Sequence, residues 1–600
     1  MRPYQLLPFP APALFDPAKE QPDFFYQNFA KKLIPDMIKL MDTGLHIDKK
    51  AVEELRITID KVLNSVKKVL EGSSLIKEFQ LFQIPAAQKK WAEEATKSTR
   101  SYEYYLREYN DTNILHRTWV INTHLIEIEY PEKCKDKWTV ADTKKLSVIL
   151  QDSFLEALIE KKISKDFPIV KKGMLELAKH KAELWNRPRE EKAKQPVVIS
   201  PFNPGSNKQL KEFFAWLNVE PLEYSKKTNE ASWGRDQIEE LKSVTTDNEL
   251  LKVLDAIIDF SYSAIIKNNF LKAFDSYTID GVLHGNIRLF GAKSFRPTSN
   301  SPNLLNAPST GSIYAKPLKK CFIAPKDFLV YTADLNGLED RVIANLSGDE
   351  NKQAVFLENL DGHSLASTYY FQEKVSKIIG KYVNNKEASK LLYSLVETGN
   401  NTAKAIRQDG KPVSFGLAYG AYPPKVAATI KCSLQEAERI FNIYHNELYT
   451  GITKYREEYV LKTAKEQGYI HLGLGCRMYT DDANSAIRTL ANATVQFWSI
   501  LTLIAINELN YRIQKEDLTK WIQVTSTIYD SIYTQVYRDP ELIAWLNKNM
   551  IEVMTVPYLE NQSIPNEAEG EIGNSWGNLY KVPNNATPDQ IQNILYEEGL

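Results

Sequence analysis

Ala403-Lys-Ala-Ile-Arg-Gln-Asp-Gly-Lys-Pro-Val-Ser-Phe-Gly-Leu-Ala-Tyr-Gly420 carries Arg407, Lys411, Phe415 and Tyr419 at four-residue intervals. On a helix each such step drifts by only ~40°, so the four side chains share one stripe ~120° wide. The stripe holds two cations, then an aromatic ring, then a phenol. Two cations one turn apart suit a triphosphate tail, with arginine supplying a planar fork and lysine a point charge. The ring further along can pack on a sugar or a base. The competing interpretation is an amphipathic helix with a solvated basic end and an aromatic core face. Gly410 and Pro412 flank Lys411 and leave two geometries open. Either the helix begins with Asp409 as N-cap and Pro412 in its first turn, leaving Arg407 outside, or it runs through Pro412 with a kink.

Two carboxylates bracket this stretch. Phe328-Leu-Val-Tyr-Thr-Ala-Asp334 is an apolar, β-branched run ending in an aspartate, and a helical pattern follows from Leu335. Thr527-Ile-Tyr-Asp-Ser-Ile-Tyr-Thr-Gln-Val536 alternates Ile, Tyr and Val around Asp530-Ser531, the pattern of a β-hairpin with the carboxylate at its turn. Either aspartate alone is more readily a cap or a surface residue. As a pair on separate strands they suit Mg²⁺, which keeps waters and takes few protein carboxylates plus substrate phosphates.

The pattern Arg407-x3-Lys411-x3-Phe415-Gly-x2-Tyr419-Gly resembles the nucleotide-binding helix of family A DNA polymerases, the family of bacterial polymerase I and many phage replicases. The resemblance implies an α+β fold of right-hand form: a palm with an antiparallel β-sheet, helical fingers and a helical thumb. Asp334, Glu339 and Arg341 match the family's Asp-Tyr-Ser-x-Ile-Glu-Leu-Arg segment. Asp530 matches the centre of its His-Asp-Glu triplet, which here is Tyr529-Asp530-Ser531. The resemblance therefore implies Asp334, Asp530 and the backbone carbonyl of Leu335 as ligands of two Mg²⁺ ions, with Lys411 joining the two aspartates as a catalytic group. It implies Arg407, Lys411, Phe415, Tyr419, His363 and Glu339 as nucleotide contacts, Glu339 occluding a sugar 2′-hydroxyl. His363, in Asp361-Gly-His-Ser364, reads equally as a phosphate ligand or as an exposed residue of a capping turn. Arg488-x3-Asn492-x3-Gln496 resembles the family helix at the primer-template end, where Arg and Gln reach the minor-groove acceptors that every correct pair presents. Arg296, in register with Pro302-Asn303-Leu304, and Lys208, at the helix opened by Phe202–Leu210, are the further DNA contacts implied. Gly573-Asn-Ser-Trp576 resembles the family's C-terminal Gly-x-x-Trp.

The resemblance covers residues 200–577 closely and 25–60 loosely. It implies an N-terminal arm (1–30), a thumb (31–270) with a helical insertion at about 66–195, a first palm part (271–350), fingers (351–477), and a second palm part with a tail (478–600). Residues 1–30 are too few for a proofreading exonuclease. The one Asp-x-Glu found, Asp247-Asn-Glu249, reads as a helix N-terminus, so no intrinsic proofreading is expected. The implied activity is template-directed addition of dNTPs to a primer 3′ end in DNA replication, of a phage replicative type. The alternatives are a catalytically inactive scaffold that binds primer-template and a nucleotidyltransferase like the single-subunit RNA polymerases. The implied partners are primer-template DNA and dNTPs, with a processivity factor, helicase or primase, or separate exonuclease left open.

Composition sets limits on this. Seventy-five basic residues face 76 acidic ones, for a net charge of −1, so cations that grip DNA must be concentrated locally. Four dispersed cysteines form no CxxC pair and suit a reducing compartment. The proline-punctuated N-terminus lacks a signal-peptide core, and Phe497–Ile506 is too short to span a bilayer. A cytoplasmic protein without membrane contact is expected.

Overall fold

The computed structural model of the chain describes residues 25–111, 168–221, 223–224, 231–308, 312–418, 420–430, 432–559 and 562–600. Tyr419, most of the expected arm and residues 112–167 of the expected insertion lie outside the described residues. The chain forms two compact units, Met1–Val62 with Tyr262–Leu600, and Leu63–Ser261.

The first unit is built on a nine-stranded sheet: β1 (Leu45–Ile47), β2 (Thr278–Ile279), β3 (Val282–Leu283), β4 (Phe322–Ile323), β5 (Phe328–Leu335), β6 (Ile522–Ile528), β7 (Ser531–Tyr537), β8 (Ala568–Ser575) and β9 (Asn578–Val582). Spatial order is β6-β7-β5-β8-β4-β1-β3-β2, with β9 paired to β8. The pairings are antiparallel. β5 lies between β7 and β8, and Leu329 to Ala333 are all buried. A strand covered on both faces needs apolar residues at every position rather than alternate ones, which is why its sequence reads as a continuous run.

Helices α1 (Lys31–Thr43), α2 (Leu338–Ser347), α3 (Glu350–Leu357), α4 (Gly362–Tyr370), α5 (Asn401–Ala418), α6 (Ala483–Gln496) and α7 (Ile500–Lys515) position the site. Two hydrophobic cores fill this unit. One joins the sheet to α1, α6, α7 and the hairpin Tyr469–Tyr479. The other is made by residues 354–449, the greater part of the expected fingers. Asp349 clips the root of this second body. Its carboxylate accepts Lys352 N–H of α3 at 2.8 Å and Gly451 N–H at 2.8 Å, where the chain returns.

The expected thumb takes in 31–62, but these residues belong to the sheet-bearing unit. The cause is a buried polar link. Asp36 of α1, 1% exposed, accepts hydrogen bonds from Asn507 at 2.6 Å and Asn510 at 2.8 Å on α7. Such a carboxylate is costly unless partnered, so the pair of amides fixes α1 on α7. The strand expected to end at Asp334 includes Leu335, and the helix begins after the turn Asn336-Gly337, where Gly337 takes φ 60°. α6 and α7 join through the turn Phe497–Ser499 into one helical run, Ala483–Lys515. It is long and apolar enough to cross a membrane by length and composition, and 72% of its apolar window is buried within the protein. It is a core helix. Cys321, Cys432 and Cys476 are free thiols.

The second unit is helical. Ser74–Thr96, Tyr102–Asp111 and Pro168–Lys194 are its long elements. Trp91 Nε1 donates to the Lys192 carbonyl at 2.9 Å and Trp185 Nε1 to the Ser98 carbonyl at 2.8 Å. Phe79, Phe202, Phe213 and Trp216 form its aromatic centre. Asp247 caps the helix Asn248–Ile265 by accepting the Glu249 and Leu250 N–H groups. Glu249 accepts from the Ser73 hydroxyl at 2.8 Å. Both carboxylates of the Asp-x-Glu are thus engaged at helix ends.

Candidate active site

β5 reaches solvent at Asp334, the first side chain past its buried run to meet water. The second aspartate arrives on a hairpin whose two-residue turn is Tyr529-Asp530, with Ile528 opposite Ser531. Tyr529 takes φ 55°, the left-handed conformation such a tight turn requires. Its carbonyl accepts the buried Thr502 hydroxyl of α7 at 3.0 Å. The Leu335 N–H donates to the Asp530 carbonyl at 3.1 Å, which ties the two carboxylate-bearing segments together. Strand register sets Ser531 beside Asp334 on one flank and Glu569 on the other. The Ser531 hydroxyl donates to Asp334 Oδ1.

Both carboxyls are held above the ordinary carboxylate range, chiefly by lost hydration. Asp334 keeps solvent contact, yet the protein crowded around it raises its pKa, against the Ser531 hydrogen bond and with a contribution from Glu569. Asp530 is half-buried. Lost hydration first, and the Asp334 charge second, push its carboxyl up to about 6, against a backbone hydrogen bond and the Arg296 charge.

Glu339, on the first turn of α2, pairs with Arg296, whose guanidinium lies 5.6 Å from the Tyr529 ring. Arg341 on the same helix is buried. It donates to the Pro565 carbonyl at 2.8 Å and to Glu567 at 2.6 Å, so it anchors the segment entering β8. Beside Glu339 opens a cavity lined in part by Phe415, Gly420, His445, Arg488 and Asn492. Gly420, at φ 80°, lets Arg488 pack against the end of α5; a Cβ there would lie 2.9 Å from Arg488 Cδ. Gln496, the last residue of α6, is half-buried and does not line this cavity.

α5 runs unbroken from Asn401 to Ala418 with Pro412 inside it. The geometry that starts the helix at Asp409 is therefore excluded, and Arg407 lies within the helix. The reason is tertiary. Gly410 is buried against α4, so close that an added Cβ would stand 2.2 Å from Ser367 Oγ. Packing at that glycine outweighs the hydrogen bond lost at Pro412. Arg407 is not open to solvent on its own. It grips Asp361 through Nε at 2.9 Å and Nη2 at 2.8 Å, and Asp361 also caps α4 by accepting the Ser364 N–H at 2.7 Å. Lys411 is exposed one turn on. The His363 ring lies 5.5 Å from that of Phe415. Burial, with the Arg407 and Lys411 charges, lowers the His363 pKa against the pull of Asp361. The imidazole is therefore a neutral donor at neutral pH.

DNA polymerase family A matches residues 174–578. The chain belongs to this family. A thermostable DNA polymerase I of Thermus thermophilus is 23% identical over 389 residues, 63% of this chain and 42% of the relative. DNA polymerase I of Streptococcus pneumoniae is 26% identical over 307 residues, 49% of this chain and 31% of the relative. The chain thus spans well under half the length of these relatives. Among solved structures, the polymerase domain of Pol1 from M. smegmatis, in complex with DNA primer-template and dNTP, superimposes with a TM-score of 0.53. It is 22% identical and covers 63% of this chain and 62% of its own. The palm, fingers and thumb fold of the family is thereby established for this chain.

Within the family frame the residues fit a divalent cation. Both carboxyls are pushed up first by lost hydration, and Asp530 also by the Asp334 charge; positive charge beside them would relieve both. Asp334 and Asp530 would hold it, with the carbonyl of Leu335 as the further expected ligand. Among the described residues no group of three His, Cys, Asp or Glu side chains is arranged as a metal site. The structure brings Asp334, Leu335, Asp530, Glu339 and Arg296 together at the sheet edge. It brings Phe415, Arg488 and Asn492 together with Glu339 around the cavity, and His363, Arg407 and Lys411 together along α4 and α5. Lys208 stands in the second unit, exposed, 3.8 Å from Glu212. Three neighbours escaped the sequence reading. Ser531 was visible only as a departure from the family triplet. Glu569 needed the strand register. Asp361 was quoted as part of a capping turn with no sign of its distant partner.

Proposed function

We propose that this chain is a DNA-directed DNA polymerase that adds dNTPs to a primer 3′ end in replication. The observation that carries the reading is that Asp334, near the end of β5, and Asp530, in the β6–β7 turn, are tied together by strand register and the Leu335 N–H to Asp530 carbonyl bond, while Glu339, paired with Arg296, lines a cavity with Phe415, Arg488 and Asn492. Magnesium ions, when bound, would supply activation of the 3′-hydroxyl and stabilisation of the leaving pyrophosphate.

The chain's own residues do the remainder. Lys411 and Arg407 are one turn apart on α5 and meet the triphosphate, where charge-assisted hydrogen bonds offset its negative charge. His363, neutral and beside Phe415, donates to the same tail. Phe415 packs on the sugar or base. Glu339 occupies the space a 2′-hydroxyl would need, and Arg296 holds that carboxylate in place until primer DNA arrives. Arg488 and Asn492 line the wall that faces the new pair and test its shape through acceptors common to all correct pairs. Closing the fingers body on the palm would exclude water from these charges and strengthen each contact.

The test is extension of a labelled primer on a template with Mg²⁺, with dNTPs and rNTPs in parallel. A ladder with dNTPs and little product with rNTPs supports the reading. A chain that binds primer-template yet extends it with neither is a scaffold, and that result overturns it.

A further inference from the structure

We propose that Asp361 is a positioning residue for the incoming nucleotide: one carboxylate caps the helix that carries His363 and grips Arg407, setting both phosphate-facing side chains in one frame. This rests on the reading of Arg407 as a nucleotide contact.

The geometry divides the labour at Asp361 clearly. Oδ1 accepts the Ser364 N–H at 2.7 Å and Arg407 Nε at 2.9 Å, and Oδ2 accepts Arg407 Nη2 at 2.8 Å. This is a two-pronged fork of the kind that fixes a guanidinium plane. Both side chains are largely shielded, at 22% and 15% exposure, so the contact is little weakened by water or salt. The fork uses the Nε–Nη2 edge, and Nη1 has no hydrogen-bond partner among the described residues. Arg407 is thus held on one edge and left able to donate on the other. A second contact stiffens the same pair of helices. Gly410 of α5 packs against Ser367 of α4, and the Ser367 hydroxyl donates to the Ile406 carbonyl at 3.1 Å. α4 and α5 therefore present His363, Arg407 and Lys411 as one rigid block. A free arginine must give up several rotatable bonds to hold a phosphate; one already clamped has lost them on folding.

Asp361→Asn tests this, because asparagine keeps an oxygen for the Ser364 N–H but loses the charged fork. Single-turnover incorporation is measured against dNTP concentration in four proteins: wild type, Asp361→Asn, Arg407→Ala and the double variant. Primer-template affinity and Tm are followed alongside. Asp361→Asn should raise the apparent Kd for dNTP about 5–10-fold with the maximal rate within about twofold, as for loss of one charge-assisted contact. It should have no further effect in the Arg407→Ala background. Should the asparagine variant fold poorly, Asp361→Ser keeps a capping oxygen and serves instead. An unchanged dNTP dependence overturns the proposal, as does an equal loss in both backgrounds, which would mark Asp361 as a cap and nothing more. Normal dNTP kinetics in Arg407→Ala would overturn it by removing the Arg407 reading. A chain that extends no primer would remove the polymerase reading itself.

Discussion

Where family A polymerases carry a glutamate after the second aspartate, this chain carries Ser531, and its hydroxyl donates to the first aspartate. A neutral donor there does two things a carboxylate cannot. It fixes Asp334 from the neighbouring strand, and it adds no negative charge beside Asp530, which the Asp334 charge already pushes up. A hydrogen bond to a charged group contributes ~1.5–3 kcal/mol when well shielded, and Ser531 is only half-shielded. Ser531→Ala should therefore lower the single-turnover rate about 3–10-fold and raise the Mg²⁺ concentration needed for half-activity. Ser531→Thr should restore both. Asp530 gives a second residue-scale expectation. The folded chain holds its proton up to about 6, above the ordinary value of about 3.9. Its contribution to stability is present in acid and is lost as pH rises from about 4 to about 6. In metal-free protein, Asp530→Asn should leave Tm unchanged near pH 4 and raise it at pH 7. Mg²⁺ should raise the pH 7 Tm of the wild type more than that of the variant. A variant less stable than wild type at pH 7 would mean that the carboxylate is not under strain.

At the scale of elements, α5 is where local rules and packing disagree. A proline three residues after Asp409 is a helix start by its chemistry, and the sequence left that geometry open beside a kinked one. The structure keeps one helix because Gly410 lets α5 lie against Ser367 of α4. That contact joins segments more than forty residues apart in the chain, so no local pattern could reveal it. Gly410→Ala should cost ~1–3 kcal/mol, since its Cβ would collide with the buried Ser367 Oγ. Combining it with Ser367→Ala leaves an ordinary contact and should recover most of the lost Tm. If both single variants and the double are equally stable, the close approach does not govern the helix. The β-hairpin was legible in the sequence, because alternation around Asp530 and a two-residue turn are local signals. The Asp361–Arg407 fork was not, because each partner has a sufficient local explanation as a cap or as a basic stripe.

At the scale of the molecule, a net charge of −1 places the work of binding on a few grouped cations, and α4 and α5 group three donors in one block. The division of the chain was legible only in part. The order of motifs pointed to an antiparallel sheet within a right-hand fold, and the structure has that sheet. That order could not show that α1 is held on α7 by Asp36, which is a contact across more than four hundred residues. The same reasoning covers proofreading. Asp247 and Glu249 are engaged at helix ends, so these residues should not shorten a mismatched primer 3′ end. Metal-dependent shortening that survives Asp334→Ala would reveal a nuclease site elsewhere. The most direct measurement is single-turnover primer extension by Asp334→Ala and Asp530→Ala, with primer-template affinity measured on the same preparations. Both variants should bind DNA within about twofold of wild type and lose extension by at least about a thousandfold, because the carboxylates serve the reacting centre and not the duplex. Extension by either variant at close to the wild-type rate would contradict the assignment of the sheet edge as the catalytic centre.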